Sequence, residues 1–148
     1  MKKEPLHVLL ADDDEADRFL FKEAFEKMEI EINFQTVNDG VQLMNYLAIK
    51  DTPLPDFLFL DLNMPKKSGL ECLKEIRSNA LYKDVPVVIY STSVADRDVE
   101  ETFHNGANVY IQKPNDFRGL ITVLKKAFMA VITYRGTSVS KVNFLIKI

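Results

Sequence analysis

The chain has 148 residues, 47% of them apolar and 28% charged, which is enough to bury one core and leaves no room for a second folded module. A formal net charge of −3 gives no support to a nucleic-acid-binding role, and the single cysteine, Cys72, excludes an intramolecular disulfide and a cysteine-rich zinc site. The apolar run Leu6 to Ala11 stops at Asp12-Asp13-Asp14, too short for a signal-peptide core, and no stretch approaches membrane-spanning length, so the expectation is a cytoplasmic protein with no membrane partner.

The predicted elements alternate. His7 to Ala11 is an apolar strand, followed by a helix with Ala16, Leu20, Ala24 and Met28 on one stripe. Asn33 to Val37 alternates as a second strand, and Asn38-Asp39-Gly40 turns the chain into a helix carrying Val41, Met44, Leu47 and Ala48. Thr52-Pro53-Leu54-Pro55 forces a break before Phe57-Leu58-Phe59-Leu60, an unalternating run of the kind buried on both faces of a parallel sheet. Ser68-Gly69-Leu70-Glu71 reads as a capping box opening a helix with Leu73, Ile76 and Ala80 inward. Pro86 to Tyr90 is a fourth strand. The next helix, Ala95 to His104, has only Val99 and Phe103 as large apolar anchors and ends at Asn105-Gly106, so it is expected to be loosely held. Val109-Tyr110-Ile111 makes a fifth strand, and Asp116 caps a last helix with Leu120, Leu124, Ala127 and Phe128 inward.

Buried strands alternating with helices predict an α/β fold, a parallel sheet wound on both faces by right-handed crossovers. Ligands of such sheets sit at the carboxyl ends of the strands. Here those ends carry Asp12-Asp13, Asp61, Ser91 and, after the fifth strand, Lys113-Pro114. Each has an ordinary explanation: Asp13 or Asp14 as a helix cap, Asp61 as a turn residue, Ser91 as a loop hydroxyl, Lys113 as a solvated charge. Gathered on one sheet edge, however, the carboxylates would repel, and a hard divalent cation with oxygen ligands is the simplest remedy. Mg2+ is the expected ion, since it prefers one or two carboxylates completed by water and phosphate oxygens.

The set Asp12-Asp13, Asp61-Leu62-Asn63-Met64-Pro65 with Gly69, Ser91-Thr92, Tyr110 and Lys113-Pro114 resembles the response-regulator receiver domain of two-component phosphorelay signalling. Through Ile89-Tyr90-Ser91-Thr92-Ser93 it is most similar to the single-domain regulators of cyanobacterial phytochromes. The resemblance runs from about Leu6 to Phe128 and implies the flavodoxin-like (βα)5 doubly wound sheet with strand order 2-1-3-4-5, residues 1–130 forming the receiver domain and 131–148 a C-terminal extension. It implies Asp61 as phosphoacceptor, charged by a histidine kinase or phosphotransfer protein, with Mg2+ held by Asp12, Asp13, Asp61 and the main-chain carbonyl of Asn63. It further implies Ser91, Thr92 and Lys113 against the phosphate, a cis peptide before Pro114, and Tyr110 swinging inward to alter the surface of the fourth helix, fifth strand and fifth helix for a downstream protein target.

Thr92 stands where the family often has alanine or glycine, which narrows access to the phosphate, while the Asn63 amide is placed to position a water; the two act in opposite directions on phosphate lifetime. An aspartate-nucleophile phosphatase, the enzymatic alternative, generally needs a second acid two residues on, where this chain has Asn63. A receiver-like binding module that never accepts phosphate is disfavoured by the complete acidic pair and lysine. From Phe117 onward the chain has six basic residues (Arg118, Lys125, Lys126, Arg135, Lys141, Lys147) and no acidic one. Val142, Phe144, Ile146 and Ile148 alternate there as a half-buried strand, expected to fray or pack on its own domain, with a homodimer-forming strand as the alternative.

Overall fold

Strands that are apolar on both sides must be covered on both sides, and the chain achieves this with one parallel sheet between two helical layers. The structure is a computed structural model that describes residues 5–133 and 141–147. Its strands are β1 (Leu6–Ala11), β2 (Ile32–Val37), β3 (Phe57–Leu60), β4 (Val87–Ser91), β5 (Val109–Gln112) and β6 (Leu145–Ile146), all parallel, in the order β2-β1-β3-β4-β5-β6. The flavodoxin-like order expected for five strands is therefore present, with a sixth added at the β5 edge.

The helices are α1 (Glu15–Met28), α2 (Gly40–Leu47), α3 (Gly69–Ser78), α4 (Asp96–His104), α5 (Phe117–Thr133) and the single turn α6 (Lys141–Phe144). Phe21, Ala24 and Phe25 of α1 pack with Leu120, Val123, Leu124 and Phe128 of α5 on one face of the sheet; Leu43 and Leu47 of α2 and Cys72, Leu73 and Ile76 of α3 cover the other. The Ser68 cap forms as the sequence predicts, with Ser68 and Glu71 each accepting from the other's backbone N–H. At the amino ends of the strands the Arg77 guanidinium donates to the carbonyls of Lys83, Val85 and Gly106 and to Asn108 Oδ1, tying the end of α3 to the entries of β4 and β5. α4 is anchored lightly: Thr102 is its one buried residue, and Val99 and Phe103 are half-buried.

The helical stripes differ from the expectation in phase. In α1, Leu20 and Ala16 face solvent and the aromatic pair Phe21 and Phe25 takes the core; in α2, Leu43 is buried while Val41 and Ala48 are exposed. The amphipathic periodicity was legible, but each of these helices has apolar residues on both candidate faces, and tertiary packing selects one. In α1 the choice falls on Phe21, whose ring meets Phe59 at 5.2 Å and Tyr90 at 4.8 Å between centroids, both edge-to-face. Ala80 lies beyond the end of α3 and is exposed.

The C-terminal segment corrects the expected alternation. Among the described residues of this segment, Val142 and Phe144 belong to the α6 turn and Leu145–Ile146 form a strand, pairing with Tyr110 and Ile111 of the same chain, so the strand packs on its own domain. Ile148 and Arg135 lie outside the described residues. Phe144 is fully buried, its ring 5.2 Å from Phe103 and 6.1 Å from Tyr110.

The phase of α1 makes a direct prediction. Phe21→Ala should lower unfolding stability by about 3–5 kcal/mol, whereas Leu20→Ala, at a position 39% exposed, should change it by no more than about 0.5 kcal/mol; urea denaturation of the two variants measures both.

Candidate functional site

Strand register alone brings the first two acids together. β1 and β3 pair through Ala11↔Leu60, so Asp12 and Asp61 are the next residues on adjacent strands, and the Asp61 N–H donates to the Ala11 carbonyl at 3.0 Å. Both carboxylates are buried, and Asp13, the next residue, is exposed above them. Carboxylate oxygens of Asp12, Asp13 and Asp61 all lie within 4.8 Å of one another. The loop after β3 closes beneath them, since a side chain at Gly69 would meet the Asp61 carbonyl oxygen at 2.2 Å. Only glycine allows α3 to start this close to β3.

Lys113 reaches the same place from the end of β5. Its N–H donates to the Ser91 carbonyl at 2.8 Å, and its side chain is only 13% exposed. The ammonium donates to Asp17 Oδ2 at 2.7 Å and to Asp12 Oδ2 at 3.3 Å, and stands 3.6 Å from Asp61 Oδ2. The Tyr90 ring lies below it, 5.1 Å from the centroid. Asp14 resolves the capping alternative: its side chain accepts from the backbone of Ala16 and Asp17 at the start of α1. Asp13 is left free of that duty. Asp12 and Asp61 each accept one backbone N–H, from Asp14 at 2.9 Å and Asn63 at 3.3 Å.

The electrostatics are unbalanced. Burial pushes the Asp12 carboxyl up to about 7, against the lowering effects of the Asp14 N–H and Lys113. Burial also raises Asp61, again against Lys113 and the Asn63 N–H. For Lys113, burial acts downward, but the hydrogen bond to Asp17 and the charges of Asp12, Asp61 and Asp17 outweigh it and hold the ammonium above the ordinary lysine range. One ammonium cannot neutralise four carboxylates. Three of those carboxylates form a compact, all-oxygen donor set open to solvent at Asp13, which fits a hard divalent cation.

Most of the expected residues converge here, but not all. Asp12, Asp13, Asp61 and Lys113 share one cluster. Ser91 is buried at the end of β4, and its hydroxyl accepts from the Ser93 N–H at 3.1 Å; Thr92 and Asn63 are exposed beside the site. The cis expectation for Pro114 is corrected: the Lys113–Pro114 bond is trans, the intrinsically preferred isomer, and Lys113 reaches the acids from it. The Tyr110 ring is fully buried, with its hydroxyl donating to the Ser93 carbonyl at 2.8 Å. Sequence reasoning missed Asp17 and Tyr90. Asp17 was recoverable, because with Asp14 as cap it takes the third helical position, where a side chain leans back toward the helix start and the strand ends.

Comparison with known proteins agrees with this geometry. Residues 8–125 match the family model described as the response regulator receiver domain. The chain is 32% identical over 125 residues to the response regulator Rcp1 of Synechocystis sp., covering 82% of this chain and 85% of that protein. Among solved structures, the phosphorylated cyanobacterial phytochrome response regulator RcpA superposes with a TM-score of 0.79 at 32% identity, covering 93% of this chain and all of that one. The Mn2+-bound form of Rcp1 superposes with a TM-score of 0.76 at 28% identity, covering 92% of this chain and 99% of that one. No helix among the described residues is long and apolar enough to cross a membrane.

The raised carboxyls set the sign of a pH effect. Between about pH 4 and 7 the folded chain holds a proton at Asp12 that the unfolded chain has released, so folding stability falls as pH rises through that window. Urea denaturation in the presence of a chelator should show this decline, and a profile that rises from pH 4 to 7 would contradict the description of the cluster.

Proposed function

Because this chain belongs to the response-regulator receiver family, we propose that Asp61 is its phosphoacceptor and that a histidine kinase or phosphotransfer protein is the donor. The observation that carries the reading is the convergence of Asp12, Asp13, Asp61 and Lys113 at the carboxyl ends of β1, β3 and β5. An Asp61 carboxylate oxygen forms the new O–P bond as the P–N bond of the phosphohistidine breaks. The bond pair stays on the imidazole nitrogen, which takes up a proton, and an acyl phosphate remains on Asp61. Placement and positive charge matter more than a general base in such a transfer, because the nucleophile is already an anion. Lys113 supplies a mobile charge 3.6 Å from Asp61. Mg2+, held by Asp12, Asp13, Asp61 and the main-chain carbonyl of Asn63, would supply the charge that offsets the phosphoryl oxygens. Arg18 donates to the Asp12 carbonyl at 2.8 Å and steadies the turn that carries the acidic pair.

The signal leaves through the β4–α4 loop. One added charge about 4 Å from Lys113 is worth about 4 kcal/mol at an effective dielectric near 20. Turning a two-state equilibrium from mostly off to mostly on needs about 5.5 kcal/mol, so one charge contact and one hydroxyl hydrogen bond, from Ser91 or Thr92, come close to sufficing. Ser91 bonds to Ser93, Ser93 accepts from Tyr110 through its carbonyl and donates to Asp98 of α4 at 2.6 Å, and Tyr110 touches Phe144. The surface formed by α4, β5 and α5, with residues 141–147 laid against it, is where a downstream protein target would read the state. The same reading makes the chain a cytoplasmic signalling protein rather than an enzyme with multiple turnover.

Incubation with phosphoramidate and Mg2+ should place one hydroxylamine-labile phosphate on each chain. Asp61→Asn should abolish the label, and Lys113→Met should slow its uptake on the order of 10²-fold. A wild-type chain that stays unlabelled, or a label that survives Asp61→Asn, would overturn the assignment.

A further inference from the structure

Asp17 is the nearest partner of the Lys113 ammonium, closer than either carboxylate that the reaction needs. The distances order as 2.7 Å to Asp17, 3.3 Å to Asp12 and 3.6 Å to Asp61. An ammonium has three hydrogens to give. Asp17 and Asp12 take two of them at 2.7 and 3.3 Å, and Asp61 stands farthest from the lysine, at 3.6 Å. The lysine therefore rests on the α1 side of the cluster. Capping of α1 does not require Asp17 there, since Asp14 accepts from the first free N–H groups of that helix. The Tyr90 ring, 5.1 Å below the ammonium, gives it a surface on which to shift between acceptors without leaving cover.

We propose that Asp17 is a positioning residue whose carboxylate holds the Lys113 ammonium while Asp61 is unmodified and yields it when Asp61 carries phosphate, so that Asp17 sets how much phosphate the chain retains. This rests on Asp61 being the phosphoacceptor. A phosphoryl group bonded to Asp61 presents more negative charge and more acceptor oxygens than a single carboxylate, so it draws the ammonium from its resting partner. Every phosphorylation event then breaks the Lys113–Asp17 contact. Taking the charge from Asp17 removes a competitor of the phosphorylated state and moves the equilibrium toward it. The released carboxylate lies in the first turn of α1, which makes that helix a second element altered by phosphorylation, besides α4.

Asp17→Asn tests this with Glu15→Gln as control. Glu15 lies in the same first turn, is exposed and makes no contact with Lys113, so its substitution removes an equal charge from the helix start without touching the lysine. At an acetyl phosphate concentration that half-labels the wild type with Mg2+ present, Asp17→Asn should raise the ratio of labelled to unlabelled chains about fivefold, the equivalent of one partly exposed ion pair. Glu15→Gln should leave the ratio unchanged. In the wild type, the 13C resonance of the Asp17 carboxyl should move as label accumulates, a change that a purely structural role for Asp17 would not produce. A ratio in Asp17→Asn at or below that of the wild type, an equal rise in Glu15→Gln, or an Asp17 resonance that stays put would each overturn the inference while leaving Asp61 as acceptor. A wild type that takes no label would overturn both.

Discussion

One ammonium shared among three carboxylates, Asp12, Asp17 and Asp61, with Asp13 a fourth acid beside them, is the interaction on which the functional end of this molecule depends. Parallel pairing of β1 with β3 forces Asp12 and Asp61 side by side, and burial then denies them the solvent that would make two adjacent anions tolerable. Lys113 offsets part of that charge and no more. A site built in this way has charge left for a divalent cation to offset, and its lysine has three acceptors within 3.6 Å. The opposite end of the sheet is built for constancy, with the Arg77 guanidinium bound to three carbonyls and an amide oxygen among the strand entries.

Between these ends the molecule is graded in rigidity. Phe21, Phe59 and Tyr90 interlock edge-to-face beneath the site, so the floor on which Lys113 rests is fixed. α4 is held by little apolar contact, and the loop before it is organised by hydroxyls, Ser93 bonding to Asp98 and accepting from Tyr110. Lightly held elements joined by polar contacts are those that a change of one charge can move. The sixth strand extends this region, because Phe144 closes over Phe103 and Tyr110 and thereby makes the C-terminal segment part of the surface formed by α4 and β5.

Much of this was legible in the sequence. The unalternating strands and the residue types at their carboxyl ends located the sheet and the acidic cluster, and the Ser68 capping box fixed the start of α3. What escaped was whatever depends on a choice between near-equal alternatives. Leu20 and Phe21 are adjacent, and the ring that fits against Tyr90 decides which of them is core. Asp17 looks like one more acid in a helix start until Lys113, 96 residues away, is folded onto it. The trans bond before Pro114 differs from what the family resemblance implied. The alternation at the C-terminus reads as a strand, but among the described residues there only Leu145–Ile146 pairs with a sheet edge, while Phe144 spends its side chain on the core.

Calorimetric titration with Mg2+ tests most directly whether the three acids form one cation site governed by their shared charge. A single binding event per chain is predicted in the wild type, lost or greatly weakened by Asp13→Asn, which removes an exposed carboxylate without disturbing the core. Binding that is absent in the wild type, or that survives Asp13→Asn at full strength, would contradict the account.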